Sequence, residues 1–203
     1  MRHFSFLNWI ASITALLALV MALASPAVAQ TQAGQSVAKT ADRSVDPLDR
    51  LFSELKRERD AKQAKRISER IWSRWRDSGS ATANLLLQWA DKAMSEKKHG
   101  LALDLLDQVI VLMPDFAEGW NRRATLHYVM GNHSKSMADI NRVLSLEPRH
   151  FGAMAGMAAI LGDSGNDALA LRAWEQMLEV YPANHQAQKK VGELADKLAG
   201  SKT

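Results

Sequence analysis

Pro114, Pro148 and Pro182 stand 34 residues apart. The same step joins Ala90, Ala124 and Ala158, the pairs Gly131-Asn132 and Gly165-Asn166, and the apolar column Leu112, Leu146 and Val180. A repeat of this length leaves few folds open. One unit holds two short helices, too little to bury an apolar face alone, so successive units must stack and share a continuous core. The period therefore predicts an all-α solenoid of paired antiparallel helices. Arrays of this kind offer surfaces that hold another molecule.

The regular units are 83–116, 117–150 and 151–184, and each divides at a turn: Lys98-His99-Gly100, Gly131-Asn132 or Gly165-Asn166. Glycine there supplies the left-handed backbone that ends a helix without a Cβ clash. A residue before proline avoids the α region, which places the ends of the second helices near Met113, Glu147 and Tyr181. Asp115-x-x-Glu118 reads as a capping box for the next helix. Residues 185–203 hold a terminal helix, with Ala187, Val191, Leu194 and Leu198 on one side and Lys189, Lys190, Glu193, Asp196 and Lys197 on the other. That is the polar back a solenoid end needs.

Upstream, Asp46-Pro47 is an N-cap followed by proline at the first helical position. Leu48, Leu51, Phe52 and Leu55 follow at helical spacing, then Ala64, Ile67, Ile71, Trp72 and Trp75 on a second helix closed by Ser78-Gly79-Ser80. Residues 46–80 thus form a helical hairpin, short for a full unit and legible as a degenerate fourth repeat. Residues 30–45 are small and polar without a period, as expected of a disordered linker.

The first 29 residues have the order of a secretory signal peptide: a short basic start, an apolar stretch over 10–23, the breaker Ser25-Pro26 and the small-residue site Ala27-Val28-Ala29. Cleavage is expected after Ala29. The apolar stretch is shorter than the roughly 20 residues a spanning helix needs, so no span remains after cleavage; the alternative is an uncleaved signal anchored in the inner membrane. No cysteine is present, which removes disulfides and lipidation at cysteine. The expected location is the periplasm of a Gram-negative bacterium.

The repeat columns resemble the tetratricopeptide repeat (TPR) family. The middle unit matches with Trp120 at position 4, Ala124 at 8, Gly131 at 15 and Pro148 at 32. The third matches with Ala158, Gly165, Ala170, Trp174 and Pro182, and the first with Ala90, Ala102, Leu106 and Pro114. Positions 8 and 20 lie where the paired helices cross and demand a small side chain, which Ser136 also satisfies. The chain is also similar to exported bacterial repeat proteins carrying Leu-Phe-x-x-Leu (51–55), Trp-x-x-Trp (72–75), Ser-Gly-Ser (78–80) and Phe-Ala-Glu-Gly-Trp-Asn-Arg-Arg-Ala (116–124), a likeness that implies no function.

The TPR resemblance implies a right-handed superhelix whose first helices line a concave groove through positions 2, 5, 9, 12 and 13. On this chain the candidate partner-binding residues are Asn84, Leu87, Asp91, Asn121, Thr125, Tyr128, Ala155 and Ala159. The wall from the third unit is nearly bare of side chains, which lets a peptide or helix approach the backbone. Two occupants stay open: an external peptide, or a helix of the same protein, either the N-terminal hairpin or a second subunit. Some TPR relatives grip a C-terminal carboxylate with lysine and asparagine; position 6 here holds Gln88, Arg122 and Gly156, so that clamp is not carried over.

Trp72, Trp75, Trp89, Trp120 and Trp174 recur with other apolar residues at helical spacing, as core packing requires. The chain lacks His-Glu-x-x-His, a glycine-rich phosphate loop and G-x-S-x-G. No catalytic residue, metal site or cofactor is expected. Lys and Arg outnumber Asp and Glu by 26 to 22. Nine of the bases fall in residues 56–77 against four acids; their interleaving reads as a solvated helix face, with an anion-binding stripe as the other reading. The expected function is a periplasmic adaptor or assembly factor that binds another protein of the cell envelope. The alternatives are a self-associating envelope protein, hence a homo-oligomer, or a binder of anionic envelope polymers through 56–77. Nucleic acid is not an expected partner.

Overall fold

The computed structural model describes residues 46–200. The signal segment with its site at Ala29, the 30–45 linker and residues 201–203 lie outside the described residues. Every regular element described is an α-helix: α1 (Pro47–Arg57), α2 (Ala61–Trp75), α3 (Ala81–Ser95), α4 (His99–Leu112), α5 (Ala117–Val129), α6 (His133–Leu146), α7 (Phe151–Asp163), α8 (Asp167–Val180) and α9 (His185–Gly200). No described helix is long and apolar enough to cross a membrane.

From α3 onward each helix packs on the next, and α5 also meets α7. The repeat chemistry explains the geometry. Met113, Glu147 and Tyr181 each act as C-cap one residue before the proline column. Where α5 crosses α6, Ser136 is buried and donates its hydroxyl to the Ala124 carbonyl at 2.7 Å, so the polar residue at this small position keeps its hydrogen bond inside the core.

Two local expectations change. Gly131 and Gly165 do adopt positive φ, but in the first unit the left-handed residue is Lys97, at φ 59°, while Gly100 sits inside the first turn of α4. The 34-residue register outweighs the local glycine: Lys97 is one period before Gly131. A β-carbon in this conformation costs about 1–2 kcal/mol, so Lys97→Gly is expected to raise stability by roughly 1 kcal/mol, measured by urea unfolding. The capping box is also not formed. Phe116 is the N-cap of α5 with no side-chain hydrogen bond. Asp115 instead pairs with Arg142 at 3.0 Å, and Glu118 turns into the interior.

The larger difference concerns the N-terminal hairpin. It does not share the core of the first repeat, in which Leu86, Leu87, Ala90, Ala102, Leu106 and Val109 cluster with Phe116 and Leu126. Leu51, Phe52, Leu55, Ala64, Ile71 and Trp75 join Phe151, Met154, Trp174, Met177 and Tyr181 of the third repeat, together with Ala187 of α9. Helix α1 packs on α8. Arg149 clamps the join: its guanidinium bonds Asp49 at 2.7 Å and Glu147 at 2.9 Å, and lies 4.1 Å from the centre of the Phe52 ring. The first described helices thus return to the third repeat.

That return exposes the front of the first repeat. Gly119 and Ala153, the residues one and two periods after Leu85, are buried, and a Cβ on Gly119 would stand 3.0 Å from Val109 of the preceding repeat. Leu85, by contrast, is 43% exposed, and Trp89 is 51% exposed. Core packing therefore holds for Trp75 and Trp174, partly for Trp72 and Trp120, and fails for Trp89.

Candidate functional site

The groove is built by α5, α7 and α9. A hollow of about 580 Å³ lies between α7 and α9. Ala155, Gly156, Ala159 and Gly162 floor it, Trp174 and Leu194 wall it, and Asp163, Lys190, Glu193 and Lys197 stand around the rim. The small residues of α7 create the depth by leaving backbone where side chains would project. Lys197 pairs with Asp167 at 2.7 Å and Lys190 with Glu193 at 2.9 Å, so the rim carries both signs and no strong net field. Gly156 also borders a smaller hollow of about 130 Å³ between α5 and α7, lined by Asn121, Thr125, Tyr128 and Ser136.

The eight residues carried over from the repeat resemblance divide sharply. Ala155 and Ala159 line the large hollow. Thr125 is exposed over the small one, its hydroxyl donating to the Asn121 carbonyl at 2.9 Å. Tyr128 is 36% exposed, stacks on His133 and donates its hydroxyl to Asp163 at 2.7 Å, which ties α5 to α7 across the groove. That bond raises the phenol above its ordinary range. Asp91 is half-buried 3.5 Å from Arg122; burial pushes its carboxyl up, with Arg122 pulling against and Glu118 adding to the rise.

The other three have structural duties. Leu87 is buried in the core of the first repeat and presents nothing to a ligand. Asn121 is buried and gives its amide to Glu118 at 2.9 Å. Asn84 holds the α2–α3 turn, accepting from the backbone and hydroxyl of Ser78 and donating to Asp77 at 3.0 Å. Leu87 and Asn121 share repeat position 5 with Ala155; the first two turn toward the interior, while Ala155 borders the hollow. Position 9, with Asp91, Thr125 and Ala159, is the column that faces outward.

Beneath the groove runs a buried polar cluster that the sequence did not reveal. Glu118 is 1% exposed, with Oε1 2.9 Å from Arg122 Nε and Oε2 3.4 Å from Nε2 of the fully buried His150. His150 caps α7 by accepting the Ala153 amide at Nδ1, 3.1 Å away, which leaves its ring proton on Nε2 toward the carboxylate. Trp75 stacks flat on this imidazole with ring centres 4.0 Å apart, and Trp72 meets it edge-on. Trp72 also fills the space over Gly152, where a Cβ would stand 2.6 Å from the indole. Helix α2 thereby forms one wall of a further crevice of about 470 Å³ against α7 and the start of α9. The hairpin is the internal occupant of this end of the groove; the hollow between α7 and α9 stays open.

Among the described residues no group of three or more His, Asp or Glu is placed to hold a metal ion.

The comparisons agree with this geometry. A TPR repeat-containing protein of Rhizobium etli is 62% identical over 156 residues, which cover 77% of this chain and 76% of that protein. The first TPR of Spaghetti (RPAP3) bound to an HSP90 peptide superposes with a TM-score of 0.56 at 20% identity, covering 59% of this chain and 95% of that one. The Sgt2 TPR domain of Aspergillus fumigatus does so at 0.56 and 18%, covering 61% and 83%. No protein-family model matches. With its 34-residue register, paired helices and a relative this similar over most of both chains, the protein belongs to the tetratricopeptide repeat-containing proteins.

Proposed function

We propose that the protein is a protein-interaction adaptor whose ligand is a peptide or helix of another protein, seated in the groove along α7. The observation that carries this is the hollow of about 580 Å³ floored by Ala155, Gly156, Ala159 and Gly162. It is deep enough for one bulky apolar side chain, backed by Trp174, with a mixed-charge rim for orientation. The HSP90-peptide complex supports this reading, since a protein of similar fold binds a peptide of another protein. The ligand chemistry differs, however. Arg122 is already engaged by Asp91 and Glu118, so no free cation stands at position 6 of the middle repeat to grip an acidic C-terminus. A helix with an apolar anchor fits better. Binding in the groove is the activity proposed, with no reaction assigned.

Location in the periplasm belongs to the same proposal and rests on the sequence pattern over residues 1–29. The test is photocrosslinking in cells of the native host. A photoreactive residue at position 159 is expected to give a discrete adduct with a second protein, one at the outward position 175 is expected to give none, and mass spectrometry of the product should show a chain beginning at Gln30. Adducts of the chain with itself alone would make the groove a subunit interface.

A further inference from the structure

Three of the four acids that interleave with the bases of residues 56–77 stand at the helix ends, where they cap turns and leave the length of α2 to the bases. Glu58 caps the turn before α2, accepting the amides of Arg59 and Asp60 at 2.7 and 2.8 Å. Asp60 caps α2 itself through the Gln63 amide at 2.8 Å. Asp77 accepts the Gly79 amide and the Asn84 side chain, both at 3.0 Å, and these bonds hold its carboxyl below the ordinary range. Along α2 only Glu69 remains between the bases. The i,i+4 pairs that would make this an ordinary neutral helix face are not formed. Among the described residues the one ion pair in the stripe is Arg70 with Glu54, at 3.4 Å.

The bases also converge. Ala64, Ser68, Ile71 and Trp75 turn inward on α2, so Lys62, Arg66 and Arg70, four residues apart, run in a line along its outer side with Arg74 beside them. All four are exposed. Arg70 and Arg74 then meet Arg50 of α1 across a shallow cleft of about 240 Å³ between the two helices, where Glu54 is the only acid.

We propose that this face of the hairpin docks on an anionic phospholipid surface, with the Arg50–Arg70–Arg74 cleft receiving a headgroup phosphate and Lys62 and Arg66 extending the contact. Three arginines against the single carboxylate of Glu54, which pairs with Arg70, leave the small cleft net positive toward a phosphodiester, and guanidinium is the cation best suited to grip its oxygens. Lys62 and Arg66 lie on the outer side of α2, away from the described hollows, where mobile headgroups can gather beneath fixed charges. The apolar side of α2 is committed to the core of the third repeat. The contact is therefore peripheral, electrostatic and salt-sensitive, without insertion. It is independent of the groove.

The test is co-sedimentation of the full-length protein with phosphatidylcholine vesicles containing one third phosphatidylglycerol, against pure phosphatidylcholine. The comparison is with Arg66→Gln/Arg70→Gln/Arg74→Gln, whose circular dichroism and melting serve as folding controls. Phosphatidylglycerol is expected to strengthen binding, raised salt to weaken it, and the triple variant to lose roughly a hundredfold in affinity for the anionic vesicles while binding the neutral ones like the parent. Equal binding of variant and parent to the anionic vesicles would overturn the proposal. So would displacement by polyglutamate at a charge concentration matching the lipid, since an acidic polypeptide would then be the better ligand.

Discussion

Trp75→Ala should destabilise the protein by about 3–5 kcal/mol. The indole is 8% exposed and touches four rings: Phe52 in its own hairpin, Trp72 one turn away, and His150 and Phe151 on the third repeat. Truncation leaves a void where α2 meets the α7 cap. It also strips the cover from His150 and Glu118, both essentially buried. Denaturant unfolding followed by circular dichroism measures the loss. Trp75→Phe should cost much less, because it keeps an aromatic ring near His150 and removes an indole N–H that has no acceptor within the described structure. A Trp75→Ala protein that melts like the parent would mean that the hairpin is not seated on the third repeat.

Arg123→Ala should cost about 3–5 kcal/mol. Its guanidinium bonds both oxygens of Asp139 at 2.8 and 2.7 Å and Asp107 at 2.7 Å, joining α5 to α6 and to the helix before it. The Asp139 bond leads the effects that keep Arg123 charged far above neutral pH. Asp139 is 4% exposed, so removing the arginine strands a carboxylate in the interior, and that stranded charge sets the size of the effect. Asp107 is well exposed, and Asp107→Ala should change stability by less than about 1 kcal/mol. The ring of Trp120, 4.9 Å from the guanidinium, also loses its cation. The double substitution Arg123→Met/Asp139→Leu should recover much of the loss, since the apolar pair leaves no charge behind; unfolding curves of the three variants decide.

The repeat array was legible because its signals are steric and local. Proline forbids α before it, glycine permits left-handed turns and alanine permits close crossing, so columns at a 34-residue step carry the architecture by themselves. Gly100 misled for the same reason: a glycine near a turn is a strong local sign, and only the register shows that Lys97 occupies the turn. Asp115 and Glu118 had capping-box spacing, yet Arg122 and His150 draw Glu118 inward, an effect of residues up to a repeat away. For the groove, position 5 was right for Ala155, which borders the hollow, but it buried Leu87 and Asn121, because in the first two repeats the larger side chains of that column pack into the interior. The wall supplied by α9, with Leu194, Lys190 and Lys197, was readable only as an amphipathic helix. The destination of the hairpin was legible only in part: the hairpin was one of several possible occupants of the bare third wall. Its apolar face would suit either end of the solenoid, and what selects the third repeat is the fit of Trp72 over Gly152 and of Trp75 on His150, contacts spanning some 75 to 80 positions of chain.

The bond from Asp49 to Arg149 spans 100 residues, and this changes how the array can grow and come apart. An open solenoid lengthens or shortens by whole units, because each unit answers only to its neighbours. Here the first helices are addressed to the last repeat, so an inserted unit would carry the Trp72 and Trp75 seats out of reach of α2, and a deleted one would leave the hairpin overshooting its dock. Such long-range closure also makes the loop that must form during folding far longer than any within a repeat, which slows folding relative to an open array of the same helices. The number of repeats is thereby counted by the fold itself.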